Sequence, residues 1–343
     1  MFRLVFVVPT GLGAAIGGYA GDAGLAVRYL GGIADQILTH PNAVNAAMFN
    51  VLPDNGLYLE GHALDQFFLG QLGFLPVASQ RIGLVIDRRC EPWLNLIENA
   101  VHATAVSTGC QIAGYALTET AVELSIEASD YGYRGEVADL EPLLDAGRRC
   151  LAAGATALAV LTWMDVLEQS QIDRYWQGLG PDPIGALEAL ISHALVAELG
   201  VPVAHSPIFE PSIVSERLDP RVAAEEIGHS YLPCILMGLA RAPRLVPYAE
   251  SAFGRDEISA LVIPEGACGG IPMLVAAERG IPVIVVKENK TVINVDFAAL
   301  GWHAPHLYSV ANLWEAGGLL QALKQGLDPA LLRRPIKAPF QPI

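Results

Sequence analysis

The chain has 343 residues, of which 52% are hydrophobic and 17% charged, and its formal net charge is −15. This length predicts either one large α/β unit or two lobes. The acidic balance, with no dense cluster of lysine and arginine, argues against a nucleic-acid-binding protein. The apolar runs are far shorter than the roughly 20 residues of a membrane-spanning helix, which argues against a membrane partner.

The first residues of the chain and its cysteines indicate the cellular compartment in which the protein is expected. The apolar run after Met1 leads into a glycine-rich turn and lacks a small-residue cleavage site, so we interpret it as a buried strand and expect a cytoplasmic protein. The five cysteines form no closely spaced pair. Neither structural disulfides nor a zinc site is therefore expected.

Short Val/Ile/Leu-rich runs alternate with amphipathic or Ala-rich segments, a pattern typical of βαβ units. We predict an α/β fold with a mainly parallel sheet flanked by helices in Rossmann-like layers. The predicted strands are Arg3–Val8, Arg81–Ile86, Gln111–Leu117, Ala155–Leu161, Val201–Ala204, Ser259–Ile263 and Ile281–Val286. The predicted helices are Trp93–Ser107, Asp139–Ala153, Pro183–Leu199, Val222–Ala240, Ile271–Arg279 and Val310–Lys324.

A helix that stops at a glycine, followed by a buried parallel strand, is predicted three times, at Gly154, Gly200 and Gly280. Residues 18–80 have weaker periodicity and are interpreted as a helix or two with long loops. No domain boundary stands out, although the sub-regions 1–80, 81–210 and 211–343 differ in character. The sequence leaves open whether the chain forms a homo-oligomer.

Ligands of open parallel sheets bind outside the carboxyl ends of the strands. The turn after the first strand is rich in glycine and is a candidate ligand-binding loop, formed by Thr10, Gly11, Gly13, Gly17 and Gly18. Its amides suit a phosphate or carboxylate. The glycine spacing is one residue longer than the dinucleotide fingerprint, and Asp35, the acidic residue nearest the required position, looks helical. Anion binding, NAD(P) binding and a purely structural turn all remain open.

The segment Glu265–Gly270 is the strongest local signal, because it follows a buried strand and opens a helix. The helix dipole would lower the pKa of the Cys268 thiol and make it a nucleophile or proton carrier, with Glu265 as a general base. Gly266, Gly269 and Gly270 would let a substrate approach the backbone. The alternative is a buried cysteine beside a tight turn.

This segment resembles the second cysteine loop of the aspartate/glutamate racemases. That resemblance covers about 25 residues and implies a second, facing cysteine. Cys110 is the one plausible partner, but it lies at the start of a predicted strand. The departure makes a racemase a minor interpretation.

Lys287, Asn289 and Thr291 directly follow the next predicted strand and should lie beside the cysteine loop. Lys287 could hold a carboxylate or phosphate, and the other two could donate hydrogen bonds to it. The alternative is a solvated turn. The Pro9–Gly18 loop is predicted to form a third wall of the same site.

Polar residues are also dense between His40 and Asp65, where Asn42 and Asn45 suit hydrogen-bond recognition of a ligand or of buried backbone. No spacing there matches a standard metal site, so no metal is predicted. His205 follows another predicted strand and is a candidate acid or base. Asp22 and Asp182 are interpreted as cap or turn residues.

Three motifs together resemble one family of proteins. They are VPTGLGAAIGGYAGDA, THPNAVNA and the pair GACGGIP with VKENKT. They are similar to an uncharacterised family of photosynthetic bacteria and plastids, and the resemblance spans nearly the whole chain. It implies a cytosolic or stromal housekeeping role and supplies no catalytic residues.

These observations predict a cytoplasmic protein that binds a small anionic metabolite at the carboxyl edge of its sheet and acts as an enzyme of unknown reaction. No motif identifies a cofactor. The alternatives are an NAD(P)- or nucleotide-dependent oxidoreductase and a non-catalytic ligand-binding or assembly protein.

Overall fold

The computed structural model describes residues 1–18, 22–44, 52–129, 132–210, 231–297, 300–301 and 306–336. It contains a six-stranded and a four-stranded sheet, both parallel and both flanked by helices. The predicted α/β class with parallel sheets is therefore confirmed.

The six-stranded sheet joins the two ends of the chain, and its spatial order is β14-β13-β12-β1-β2-β3. Strands β1 and β12 are neighbours in parallel register, with Leu4 opposite Ala260. From this pair the chain winds outward in both directions, so the β1/β12 boundary is a switch point where a ligand crevice is expected. The strands are β1 (Arg3–Phe6), β2 (Gln36–Thr39), β3 (Gly56–Tyr58), β12 (Ile258–Ala267), β13 (Val283–Val295) and β14 (Leu307–Val310).

The four-stranded sheet has the order β10-β9-β5-β6. Its strands are β5 (Arg81–Ile86), β6 (Gln111–Leu117), β9 (Ala157–Trp163) and β10 (Val203–Ile208). Two antiparallel pairs complete the strands: β4 (Leu72–Leu75) with β11 (Arg244–Pro247), and β7 (Leu124–Ser129) with β8 (Gly132–Val137).

Asp87 directly follows β5, next to which the strand order of this second sheet reverses. Its fully buried carboxylate accepts hydrogen bonds from the amides of Arg89, Val122 and Trp163 at 3.1–3.2 Å and pairs with the Arg89 guanidinium at 3.1 Å. A buried charge needs such partners. Asp87 therefore anchors structure rather than a ligand.

The helices pack on both faces of the sheets, and most end at a glycine in the left-handed conformation, which only glycine adopts without strain. They are α1 (Gly24–Gly31), α2 (Pro41–Val44), α3 (Gly61–Leu69), α4 (Leu94–Thr108), α5 (Glu141–Ala152), α6 (Gln169–Trp176), α7 (Gly185–Leu199), α8 (Tyr231–Ala240), α9 (Ile271–Glu278) and α10 (Leu313–Lys324). Gly154, Gly200 and Gly280 have φ of +89°, +65° and +69°. The three predicted helix–glycine–strand turns are confirmed.

The predicted strands and helices are present, with shifted ends in several cases. Val310 ends β14 rather than beginning a helix. Of the helix predicted at Val222–Ala240, the part from Tyr231 is helical, and its earlier part lies outside the described residues. The interpretation of residues 18–80 missed β2, β3 and β4, which have only three or four residues each. Asp35 precedes β2 and is not helical, so that expectation was wrong.

Candidate functional site

A cavity of about 340 Å³ opens at the carboxyl edge of the six-stranded sheet, where it faces α7 and β10. The loops after β1, β2 and β3 and the first turn of α9 contribute to its walls. Its lining includes eight side chains that can exchange protons: His40, Glu60, Asp65, Asp182, Glu188, His193, His205 and Tyr231. The switch point of the sheet therefore carries a site rich in acids and bases.

Glu60 and His193 form the central pair of the cavity. Glu60 follows β3 and caps α3, with its Oε2 accepting from the Ala63 amide at 3.2 Å, while its Oε1 contacts the Nδ1 of His193 on α7. Burial lowers the pKa of His193, but the hydrogen bond and charge of Glu60, together with the charge of Asp65, outweigh it and raise that pKa above 6.5. The His193 imidazole is therefore the protonated member of an ion pair with Glu60.

The absence of a side chain at Gly61 leaves room for the His193 ring. A Cβ at position 61 would lie 2.9 Å from the Cε1 of His193 and 3.1 Å from its Nε2. The imidazole thus crosses the first turn of α3 directly over backbone, a contact that a side chain at this position would displace. Nδ1 is the ring nitrogen in contact with Glu60, and His193 lines the cavity.

Asp65 lies one turn further along α3. In the described part of the chain its carboxylate has neither a hydrogen-bond nor an ion-pair partner. Burial raises the pKa of Asp65 to about 6, the charge of His193 opposes the rise, and that of Glu60 adds to it. At neutral pH this carboxylate is ionised but more basic than an exposed aspartate, as a general base requires.

His40 directly follows β2 and is 5% exposed. Its Nε2 accepts a 2.9 Å hydrogen bond from the Val8 amide, and Asn42 donates to the Val8 carbonyl oxygen at 2.8 Å. Burial, and then the charge of His193, lower the pKa of His40 to about 4. His40 therefore stands beside the charged His193 as a neutral imidazole.

His205 on β10 is the third histidine of the cavity, and both its nitrogens have partners. Nδ1 lies 3.3 Å from Oε1 of Glu188, and Nε2 lies 2.8 Å from Oγ1 of Thr162. A carboxylate and a hydroxyl thus fix the orientation of the ring. The sequence predicted His205 as a candidate acid or base, and it does line the cavity.

Asp182 lines the cavity at the start of α7, where its Oδ1 accepts from the amides of Ile184 and Gly185 at 2.9 and 3.3 Å. Asp22 accepts from the Gly17 amide at 2.6 Å. Both are bound to turn backbone, so the prediction that they act as cap or turn residues is confirmed.

Cys268 does not have the environment predicted for it. It is 1% exposed, and burial, with the charges of Asp296 and Glu265, raises the pKa of its thiol to about 12. The expected lowering of this pKa by a helix N-terminus is therefore wrong, because desolvation outweighs the dipole. Cys268 and Glu265 lie outside the lining of the cavity.

The three glycine- and lysine-containing segments do come together, as predicted. Strand β12 pairs with β13 through Glu265 and Lys290, and the Lys290 carbonyl oxygen accepts from the Ala15 amide of the first loop at 3.0 Å. Asn289, 2% exposed, binds Ile16 twice, accepting from its amide at 2.7 Å and donating to its carbonyl oxygen at 2.9 Å.

This junction uses amides of the first glycine-rich loop. The N–H groups of Ala15, Ile16 and Gly17 are all bound within the protein. Of the glycines predicted to offer amides to an anion, Gly17 therefore has its N–H bound to Asp22. The glycines were correctly identified as conformationally necessary, because the residues with φ between +57° and +80° include Gly11, Gly13, Gly17, Gly18 and Gly266.

The other predicted ligand-binding residues divide into two groups. Thr10, Asn42 and Gly270 line the cavity. Gly11, Gly13, Gly17, Gly18, Gly266, Gly269, Lys287, Asn289 and Thr291 do not. Lys287 is exposed, and Gly266 lies where a Cβ would be 2.6 Å from Oγ1 of Thr291. Asn45 lies outside the described residues.

The cavity's electrostatics differ from the anion site that the sequence predicted. Neither lysine nor arginine is among the described residues that line it, whereas Glu60, Asp65, Asp182 and Glu188 are. His193 is the group whose pKa shift favours a positive charge there. Among the described residues, no group of three or more His, Cys, Asp or Glu side chains could hold a metal ion.

The sequence missed Glu188, Ser192 and His193, which share one face of α7 at helical spacing. That spacing was visible, but the surrounding apolar residues made α7 look like an ordinary core helix. The dense polar region from His40 to Asp65 was noticed, and His40, Glu60 and Asp65 all line the cavity. What the sequence lacked was the link between these two segments.

Comparison with known proteins places residues 3–333 in the family described as "Protein of unknown function (DUF3326)". An uncharacterized lipoprotein of a Synechococcus species is 39% identical over 335 residues, which cover 96% of this chain and 92% of that protein. The crystal structure of the Escherichia coli transcriptional repressor ascG matches at 15% identity over 73% of this chain and 93% of that one. Its TM-score is 0.15, so no argument rests on it.

No helix in the described ranges is both long and apolar enough to cross a bilayer. The resemblance to an uncharacterised family of photosynthetic bacteria is confirmed by the cyanobacterial relative. The chain belongs to the DUF3326 family.

Proposed function

We propose that this protein is an enzyme that moves protons on a small polar molecule bound in the 340 Å³ cavity. Asp65 is the general base, and His193, held in its charged form by Glu60, is the general acid. One observation carries the proposal: Glu60 from the turn after β3, Asp65 from α3 and His193 from α7 line the same cavity at the carboxyl edge of the sheet. Acid and base catalysis needs two groups whose pKa values are shifted toward the working pH.

The shifted pKa values favour an enzyme over a non-catalytic binding protein. A binding site needs hydrogen-bonding groups but has no use for a carboxyl with a pKa of about 6 beside a histidine whose pKa is raised. Both groups are destabilised or constrained by burial, and such a cost is typical of catalytic sites.

The charges of the cavity favour an uncharged or cationic substrate over an anionic one. Four carboxyl side chains surround it, and its described lining offers no lysine or arginine to pair with a carboxylate or phosphate. An anionic metabolite would be repelled unless it met His193 alone. A dinucleotide is disfavoured further, because His40 follows β2 where the dinucleotide fold places an acidic residue.

The test is to incubate the protein with a metabolite extract of its host in D₂O and to search by mass spectrometry for compounds that gain deuterium or disappear. Wild type and His102→Gln should give the same change, because His102 is an exposed residue of α4. His193→Gln and Asp65→Asn should abolish it. If no metabolite changes with the wild-type protein, or if His193→Gln and Asp65→Asn both retain full activity, the proposal fails.

We further propose that the protein acts in the cytoplasm. The five cysteines are free and buried, as suits a reducing compartment. The Synechococcus relative is named a lipoprotein, which is a statement about that protein. Cell fractionation of the host with an antibody against this chain tests the location, and recovery in the membrane fraction would contradict it.

A further inference from the structure

We propose that His40 is a permanently uncharged hydrogen-bond donor that binds a carbonyl oxygen of the substrate, so the substrates of this cavity are carbonyl compounds with a removable proton on the adjoining carbon. This inference rests on the proposed function and names its substrate class. It follows from the hydrogen bonds around His40.

The Val8 backbone fixes which nitrogen of His40 carries the proton. A backbone N–H can only donate, so the 2.9 Å bond from Val8 requires a lone pair on Nε2 of His40. The single proton of the neutral ring must then sit on Nδ1. Because the donor is a backbone amide, it cannot exchange roles with the ring nitrogen.

The same bond keeps the ring uncharged. Protonation of Nε2 would place two N–H groups head to head and cost the Val8 hydrogen bond. The ring is also buried and faces the positive charge of His193, and these two effects lower the pKa of His40 to about 4. Asp65 and Glu60 lie in the same cavity, and their charges do not reverse the direction of this shift.

The Nδ1–H group is available to a ligand. In the described ranges it has no hydrogen-bond partner, and His40 lines the cavity. The ring is also held in place, since its neighbours Thr39 and Asn42 bind the carbonyl oxygens of Phe6 and Val8 at 3.0 and 2.8 Å. A pre-positioned donor of this kind selects an acceptor, such as a carbonyl oxygen.

A neutral donor suits the proton transfer proposed for this cavity. Asp65 takes a proton from the carbon next to the carbonyl group, the C–H electron pair becomes the C=C bond of an enolate, and the carbonyl π pair moves onto oxygen. His40 donates a hydrogen bond to that oxygen and keeps its own proton. The charged His193, as the general acid, supplies the proton that goes back to carbon, and exchange with solvent then removes the proton from Asp65 and recharges His193. Return of a proton to carbon restores the carbonyl compound, so no oxidant or further reactant is needed.

The first test uses the wild-type protein and needs no ligand. Nitrogen-15 NMR of the eight histidines, with His40 assigned by its loss in His40→Gln, reports the protonation of each ring nitrogen. We expect His40 to stay protonated at Nδ1 alone from about pH 5 to about pH 8, while His193 titrates. A proton on Nε2, or a charged ring in this range, would overturn the inference.

The second test compares cyclohexanone, an uncharged acceptor, with cyclohexylammonium, a donor of similar size. Cyclohexanone should shift the Nδ1 resonance of His40, and His40→Met, whose side chain has no N–H or O–H to donate, should weaken its binding about tenfold. Cyclohexylammonium should bind both proteins equally. Equal cyclohexanone binding to both proteins, or no shift at Nδ1, would overturn the inference.

These outcomes separate this inference from the function it rests on. Deuterium uptake by a metabolite without a carbonyl group would refute the role of His40 and leave the acid–base function standing. A wild-type protein that exchanges no proton in any metabolite would refute the acid–base function, whatever the tautomer of His40.

Discussion

The charge on His193 depends on one carboxylate. Burial alone would lower the pKa of this histidine, and the contact with Glu60 is the main effect that raises it. We therefore expect Glu60→Gln to lower the pKa of His193, because a neutral amide cannot stabilise the imidazolium. Proton NMR titration of His193 measures the change.

The matched control is Glu188→Gln, which removes the same charge from the same cavity but contacts His205 instead. It should leave the titration of His193 unchanged. If both variants shift it equally, the general field of the cavity, and not the Glu60 contact, sets the pKa.

The raised pKa of Asp65 should lower the unfolding free energy of the protein at neutral pH. Its pKa is raised from 3.8 to about 6, so the folded protein binds this proton more tightly than the unfolded chain does. Stability linked to this group is therefore full below about pH 4 and declines as the pH rises through about 6. Asp65→Asn removes the buried charge and should stabilise the protein at neutral pH by about 1–2 kcal/mol, allowing for partial exposure.

Urea denaturation at several pH values measures this difference. The gain of Asp65→Asn over wild type should vanish below about pH 4, where the wild-type carboxyl is also neutral. Asp54→Asn, at an exposed turn, should show no such dependence. A stability difference that does not change with pH would mean that the carboxyl of Asp65 is not destabilised in the folded state.

At the scale of elements, the long strand β13 holds the first glycine-rich loop through the side chain of Asn289 and through backbone hydrogen bonds of Lys290 and Val292. Asn289 both accepts from and donates to Ile16, so its two functional atoms are not equivalent. Asn289→Asp keeps the acceptor but places a second oxygen against the Ile16 carbonyl group. We expect a loss of about 2–3 kcal/mol in unfolding free energy, which should shrink at low pH where the carboxyl can donate.

Asn312→Asp is the matched control. Asn312 caps α10 only as an acceptor, from the Glu315 amide at 3.0 Å, and aspartate caps a helix equally well. Its unfolding free energy should stay within about 0.5 kcal/mol of wild type. Equal losses in the two variants would show that the donor of Asn289 contributes nothing to the loop.

The elements also show what sequence patterns can and cannot indicate. Arg81–Ile86 and Gln111–Leu117 were predicted with correct ends, and in Arg81–Ile86 a buried apolar run that follows an arginine and precedes an aspartate is distinctive. The three-residue strand Gly56–Tyr58 is too short to show a period. It forms because β2 offers a parallel edge to it, which is a tertiary effect.

At the scale of the whole molecule, the sequence pointed to the carboxyl edge of the sheet, and four of its predicted site residues, Thr10, Asn42, His205 and Gly270, line the cavity there. Lys287 and Cys268 are conspicuous in the sequence, whereas the cavity depends on His193 meeting Glu60 from another part of the chain. No local pattern reports that α7 lies across the end of β3. Only the packing of the second sheet against the first brings their side chains together.

The cysteines provide a test that involves the whole fold. All five are free and buried, and burial raises the thiol pKa of Cys90 to about 12, of Cys150 to about 11 and of Cys268 to about 12. Thiolates are the reactive species, so native protein should react with Ellman's reagent only as fast as it unfolds. In denaturant all five thiols should react at once.

The control is Ser107→Cys, on the exposed face of α4, which should add one thiol that reacts immediately in the native state. If the native protein has a fast-reacting thiol that is lost in Cys268→Ser, this prediction is contradicted. Cys268 would then be a candidate nucleophile, as its position after a strand and before a helix predicts.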